Sequence, residues 1–164
     1  MEILIRDTPE EGARVASRLV RKILSTRSNP VLGLATGGTP LRLYREMIRM
    51  YQAGELSFQD CTSFNLDEYV GLPPEDERSF HHVTMGIATV METRHCLLLA
   101  NGAKKADAVR NMIEGPVSAS CPASILQMHR RVTIVLDEEA AYLLTFKDHY
   151  KWVEQNKLDW QKLD

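Results

Sequence analysis

The chain has 164 residues, 44% of them apolar and 26% charged, within the ordinary range for a folded domain. Twenty basic and 22 acidic side chains leave a net charge of −2, so no broad attraction to nucleic acid or anionic lipid is expected. Nine glycines and seven prolines are too few for a collagenous or low-complexity chain, and no apolar stretch approaches the ~18 residues of a membrane span. The three cysteines, Cys61, Cys96 and Cys121, are odd in number and widely spaced, suggesting neither a disulfide framework nor a zinc knuckle. Met1–Asp7 lacks the basic lead and apolar run of a signal peptide, and a cytoplasmic location is expected.

In chain order, Glu2 to Ile5 reads as a short strand. Thr8-Pro9-Glu10-Glu11 predicts a helix start, with Thr8 as N-cap, Pro9 at the first helical position and Glu11 closing a capping box. Val15, Leu19, Val20, Ile23 and Leu24 continue at the helical period. Pro30 to Ala35 is an apolar strand, and Leu43, Met47, Ile48 and Tyr51 mark a second helix that stops near Gly54. Cys61 to Leu66 is the third strand, followed by a polar loop over Gly71 to Arg78. Thr84 to Met91 is predicted helical, His95 to Ala100 a buried strand, and Lys104 to Glu114 helical again. Val132 to Leu136 is the last strand, with Asp137-Glu138-Glu139 opening a C-terminal helical stretch. This alternation predicts a single α/β domain over residues 1–164, a mostly parallel sheet with helices on both faces. Ligands of such sheets collect beyond the carboxyl ends of the strands.

Three strand ends carry chemistry. In Leu32-Gly33-Leu34-Ala35-Thr36-Gly37-Gly38-Thr39-Pro40, two glycines permit close backbone approach, and the next helix offers unpaired N–H groups to an anion. A Gly-Gly turn alone is commonly just a tight connection; the hydroxyls of Thr36 and Thr39 favour a site. In Asn65-Leu66-Asp67-Glu68-Tyr69, adjacent carboxylates could supply a general base and a partner that tunes it, or a turn cap beside a solvated glutamate. In Asn101-Gly102-Ala103-Lys104-Lys105-Ala106, a lysine could reach a phosphate as a point charge, or both lysines could simply be solvated. Together these features describe an anion loop, a carboxylate base and a cation on one edge of one sheet, which suits a small phosphorylated metabolite.

The segments Leu32 to Pro40 and Phe64-Asn65-Leu66-Asp67-Glu68-Tyr69-Val70-Gly71-Leu72 closely resemble the signature segments of glucosamine-6-phosphate deaminases. Thr84-Met85-Gly86-Ile87, Gly102 to Gly115 and Pro122 to His129 resemble later blocks of that family, in its order. The resemblance implies a Rossmann-like α/β fold and a reversible reaction of hydrolase and aldose–ketose isomerase character. Glucosamine 6-phosphate and water would give fructose 6-phosphate and ammonia. It further implies that Thr36, Gly37, Gly38, Thr39 and Lys105 hold the phosphate. Asp67 would move a proton between C1 and C2 through an enolamine, with Glu68 in support. No metal or organic cofactor is called for, the partner is a small sugar phosphate, and assembly into a homo-oligomer is left open.

The same resemblance exposes a gap. Residues 1–81 and 82–164 resemble the two ends of a longer family chain. About a hundred residues, including the block that opens the sugar ring, have no counterpart at the join. None of His81, His82, His95, His129 and His149 precedes a Phe-Asn-Glu-Pro-like run, so no ring-opening residue is assigned. The sheet is therefore expected to be incomplete in its centre, with apolar edges exposed. A non-catalytic sugar-phosphate-binding or oligomerising module is the alternative reading. Sugar-phosphate isomerases and phosphogluconolactonases share the fold and an anion loop, but Asn65 to Tyr69 favours the deaminase. Trp152, Trp160, Tyr142, Phe146 and Tyr150 are read as packing or contact residues of the C-terminal helix.

Overall fold

A computed structural model describes residues 1–69, 82–84, 86–158 and 161; of 67–69 and 82–84 it describes the backbone alone. The predicted loop over Gly71 to Arg78, together with His81, Met85 and Trp160, lies outside the described residues. The elements run β1 (Glu2–Arg6), α1 (Pro9–Thr26), β2 (Val31–Leu34), α2 (Gly38–Gln52), β3 (Thr62–Asn65), β4 (Asp67–Tyr69) and β5 (His82–Thr84). They continue with α3 (Ile87–Met91), β6 (Cys96–Ala100), α4 (Ala106–Ile113), β7 (Val132–Asp137) and α5 (Lys147–Gln155). Short 3-10 turns cover Ala103–Lys105 and Pro122–Met128.

β1, β7 and β6 form a parallel sheet with β7 in the middle; Glu2 pairs with Thr133 at one end and Arg6 with Asp137 at the other. All six residues of β7 are buried, as a central parallel strand covered on both faces requires. Alternation along the strands divides the interior in two. Leu4 and Val135 face α1 and α2, packing with Val15, Ala16, Val20, Leu43, Met47 and Met50. Ile5, Val132, Ile134 and Leu136 point the other way, onto Val109 and Met112 of α4, Leu126 and Leu144. Helices thus cover both faces, and the fold is the Rossmann-like α/β architecture that the alternating pattern predicts.

α1 begins where the sequence predicts. Thr8 is the N-cap and its hydroxyl accepts the Glu11 N–H at 3.2 Å, with Pro9 opening the helix. Three local expectations are corrected. Thr84 belongs not to a helix but to β5, paired antiparallel with Asp67; α3 starts only at Ile87. Lys104 lies in a 3-10 turn and α4 starts at Ala106. Asp137 ends β7 rather than opening a helix, because its carboxylate is engaged by backbone N–H groups; α5 starts ten residues later, at Lys147.

The strands fall into separate sets, in keeping with a sheet expected to be incomplete in its centre. β2 and β3 pair parallel to each other, from Val31 with Thr62 to Leu34 with Asn65, but are not hydrogen-bonded to β1–β7–β6. Val31 is 64% exposed and Phe64 55%. β6 pairs with β7 alone among the described residues, and its five residues are all half-buried. A parallel strand needs cover on both faces and a neighbour on each edge. Here the ribbon and the outer edge of β6 lack part of that cover among the described residues.

At the amino-terminal edge of the main sheet, a hydrogen-bonded chain ties three strands together. The Thr133 hydroxyl donates to Glu2 Oε2 at 2.8 Å, and Glu2 is paired with Lys157. The Thr133 proton being committed, His95 Nε2 must donate to Thr133 Oγ1, 2.9 Å away. His95 Nδ1 is then a buried acceptor without a partner among the described residues. Burial, helped by Arg131, lowers the His95 pKa below its usual 6.5.

Candidate active site

The carboxyl end of β2 is shaped by its neighbours. The Leu66 N–H donates to the Leu34 carbonyl at 2.7 Å, and the Tyr44 hydroxyl of α2 donates to the Ala35 carbonyl at 2.6 Å. These two bonds hold the chain as it leaves the strand. Gly37 follows with φ +95°, a conformation that penalises any side chain, and serves as the N-cap of α2. Among the described residues, a Cβ at Gly38 would meet nothing within 4 Å. Thr36 and Thr39, half-buried, flank the turn.

The two long helices differ at their starts. α1 is capped by Thr8 and has Glu10 and Glu11 in its first turn, so its positive end is already answered. α2 has no side-chain cap and no acidic residue in its first turn. Among the described residues nothing answers its first N–H groups and dipole, which suits an external anion.

Asp67 and Glu68 open β4 directly after the β3 end, where Asn65 pairs with Leu34. The backbone therefore places Asp67 and Glu68 close in sequence to the β3 residues that pair with the end of β2; their side chains lie outside the described residues.

The third strand end is tied to β7. Gly102 takes φ +82° and leads into the 3-10 turn that carries Lys104 and Lys105. Asp137, only 4% exposed, receives the Gly102 N–H on both carboxylate oxygens, at 3.0 and 2.9 Å, and the Ala140 N–H at 2.7 Å. Lys105 is exposed and forms no ion pair among the described residues. The structure thus assembles two groups, Thr36–Thr39 with Asp67 at the β2–β3 ends and Lys105 with Asp137 at the β6–β7 ends. It does not join them through one hydrogen-bonded sheet.

Asp137 and Tyr44 were not singled out from the sequence as site residues. The available signal for Asp137 was its position, an acidic residue directly after an apolar strand and therefore at the ligand edge of a parallel sheet. Tyr44 is an aromatic at a helix-core position, with nothing local to mark its hydroxyl. His129, by contrast, is structural: Nδ1 accepts the Arg131 N–H at 3.0 Å and Nε2 lies 3.0 Å from the Thr93 carbonyl. Among the described residues no group of three or more His, Cys, Asp or Glu could hold a metal ion, and no helix is long and apolar enough to cross a membrane. A groove of about 270 Å³ runs along β2 and α2, lined by Leu32, Leu34, Tyr44, Met47 and Phe58 among others. Its apolar walls do not suit a sugar phosphate.

Fold and strand order together define a Rossmann-like α/β protein. No family model matches the chain. It is 31% identical to a glucosamine-6-phosphate deaminase of Marinomonas sp. (strain MWYL1), over 96% of this chain and 97% of that one. It is 30% identical to that of Corynebacterium kroppenstedtii, over 99% and 100%. The chain belongs to the glucosamine-6-phosphate deaminase family. A solved monomeric glucosamine-6-phosphate deaminase of the NagB superfamily matches with a TM-score of 0.82 at 27% identity, over 87% of this chain and 100% of that one. A 6-phosphogluconolactonase from Trypanosoma cruzi, at TM-score 0.63, 14% identity, and 88% and 97% coverage, shares the fold alone. The two sequence alignments run over 257 and 259 positions, against 164 residues here. Each relative therefore carries on the order of a hundred internal residues with no counterpart in this chain.

Proposed function

We propose that this chain binds a hexose 6-phosphate of the glucosamine 6-phosphate and fructose 6-phosphate pair. Thr36, Gly37, Gly38, Thr39 and Lys105 hold the phosphate, and Asp67, supported by Glu68, transfers the proton. The observation that carries the reading is the start of α2, open and uncapped among the described residues and free of acid in its first turn, in a member of this family. In the reaction, Asp67 takes the C2 proton of the open-chain sugar and returns it to C1; water then displaces ammonia from the resulting C2 imine. Carboxylate, water and substrate balance this sequence without a cofactor. Deaminase–isomerase describes this chemistry better than the broad word hydrolase.

The missing internal stretch supports a second element of the reading, that ring opening and hence turnover are impaired in this chain. The net charge of −2 supports a small-molecule partner over nucleic acid, and a cytoplasmic location suits a sugar-phosphate substrate. Exposed Trp152, Phe146 and Tyr142 offer a surface for self-association.

Calorimetric titration with fructose 6-phosphate, beside an ammonia-release assay on glucosamine 6-phosphate, tests the reading. The expected result is binding that is weakened by Lys105→Ala, with ammonia release far below that of the full-length relatives. Deamination at the relatives' rate by the 164-residue chain refutes the impairment, and absence of binding refutes the assignment of the phosphate site. The alternative, a binding module without catalysis, is supported by the same unmatched hundred residues. It predicts tight binding, no ammonia at all, and no change on Asp67→Asn.

A further inference from the structure

The geometry points to Asp137 as a positioning residue that sets Lys105 at the ligand edge, an inference that rests on the sugar-phosphate reading above. The path has two hydrogen-bonded links. Asp137 stands at the end of β7, in register with Arg6 of β1 and directly after Leu136, which pairs with Ala100 of β6. Both of its carboxylate oxygens take the Gly102 N–H, and the Gly102 carbonyl takes the Lys105 N–H at 3.0 Å. Gly102 is held on both sides at φ +82°, so the backbone of Lys105 is referred directly to the most buried strand of the molecule.

A purely local role for Asp137 would be to cap the turn after β7. That accounts for the 2.7 Å bond to the Ala140 N–H but not for the two contacts to Gly102, 35 residues away. Burying a carboxylate is costly and is offset here only by backbone donors, so an apolar residue would serve packing better. A carboxylate is needed because it accepts from two separate loops at once. Phosphate recognition by a lysine depends on where a single point charge stands, and the lysine stem is flexible. Fixing its backbone reduces the ordering that binding must impose.

The test uses the full chain, fructose 6-phosphate titrations and amide hydrogen exchange, with Asp137→Asn, Gly102→Ala, Lys105→Ala and the double variant Asp137→Asn/Lys105→Ala. Gly102→Ala leaves the buried carboxylate in place, and its Cβ would meet only Glu139 Oε2 at 3.8 Å, so it perturbs the turn through φ. Asp137→Asn and Gly102→Ala are each expected to weaken binding about tenfold, and the double variant to bind within about twofold of Lys105→Ala alone. Affinity retained within about twofold in both single variants overturns the proposal, as does full additivity in the double variant. Should Asp137→Asn not fold, Gly102→Ala decides the question by itself. If the parent chain binds no fructose 6-phosphate, the sugar-phosphate reading falls, and exchange at Gly102 then judges the clamp. Exchange about tenfold faster in Asp137→Asn upholds it, and unchanged exchange overturns it.

Discussion

The sheet β1–β7–β6 and the ribbon β2–β3 are both parallel, yet they are held very differently. In the first, Ile134 and Leu136 are completely buried and helices lie on each face. In the second, every residue of β3 is exposed and Val31 stands open to solvent. Their sequences do not announce this difference: Val31-Leu32-Gly33-Leu34 is as apolar as a core strand. Parallel strands draw their stability from neighbours supplied by distant parts of the chain.

Four substitutions sharpen this contrast. The largest effect is expected from Ile134→Ala, which empties a fully buried position and should cost about 2–5 kcal/mol in chemical denaturation. Phe64→Ala, on the ribbon and 55% exposed, should stay within about 1 kcal/mol. Comparable losses at both positions would break the comparison. Next come two glycines. A Cβ at Gly115 would fall 2.5 Å from the Asn111 carbonyl oxygen, a backbone atom that cannot yield, so Gly115→Ala should lose about 1–3 kcal/mol. A Cβ at Gly33 would press only on Leu66 Cδ2, at 2.7 Å. That side-chain end can swing aside, and Gly33→Ala should shift stability by less than about 1 kcal/mol in thermal melts.

The smallest effect is pH-dependent and belongs to the main sheet alone. His95 has a folded pKa lowered below 6.5, chiefly by burial and further by Arg131 and His129, with Glu2 opposing. The unfolded chain therefore takes up the proton first as pH falls, and the stability His95 supports above 6.5 is lost below it. Burial would raise the Glu2 carboxyl, but hydrogen bonds from Lys157 and Thr133 bring it below the ordinary 4.5. Its contribution is present above 4.5 and is lost as pH falls through the lowered value. Melting temperatures of the parent chain should decline between pH 7 and 5. In His95→Gln, which keeps a donor for Thr133, that decline should flatten, while the acid loss due to Glu2 remains. An unchanged slope would remove His95 from the account.

Local chemistry made much of this legible. Thr8 and Pro9 announce α1 because capping needs only neighbours in sequence, and Gly37 and Gly102 announce turns because their φ excludes most side chains. The apolar run before Asp137 predicts a strand, but the strand read as buried, His95 to Ala100, is only half-buried, and β7 is the fully buried one. The pairing of β4 with β5 was not legible, since Thr84 meets Asp67 only through antiparallel register. Nor was the clamp: Gly102 and Asp137 are 35 residues apart, and no periodicity links them. For the site, the sequence indicated the Thr36–Thr39 turn, the Asp67–Glu68 pair and Lys105. It missed Tyr44 and Asp137, which act through hydrogen bonds to backbone that no local pattern marks.

The sequence by itself determined the class of fold, the order of the elements, the residue types at each strand end and, by its motifs, the family. Those features follow from caps, turns and apolar runs, which act over a few residues. Tertiary structure alone decided that the strands divide into a covered sheet and an exposed ribbon, and that Lys105 is referred to β7 through Gly102. Strand pairing and buried hydrogen bonds depend on which distant groups meet, and that is settled only when the chain closes on itself.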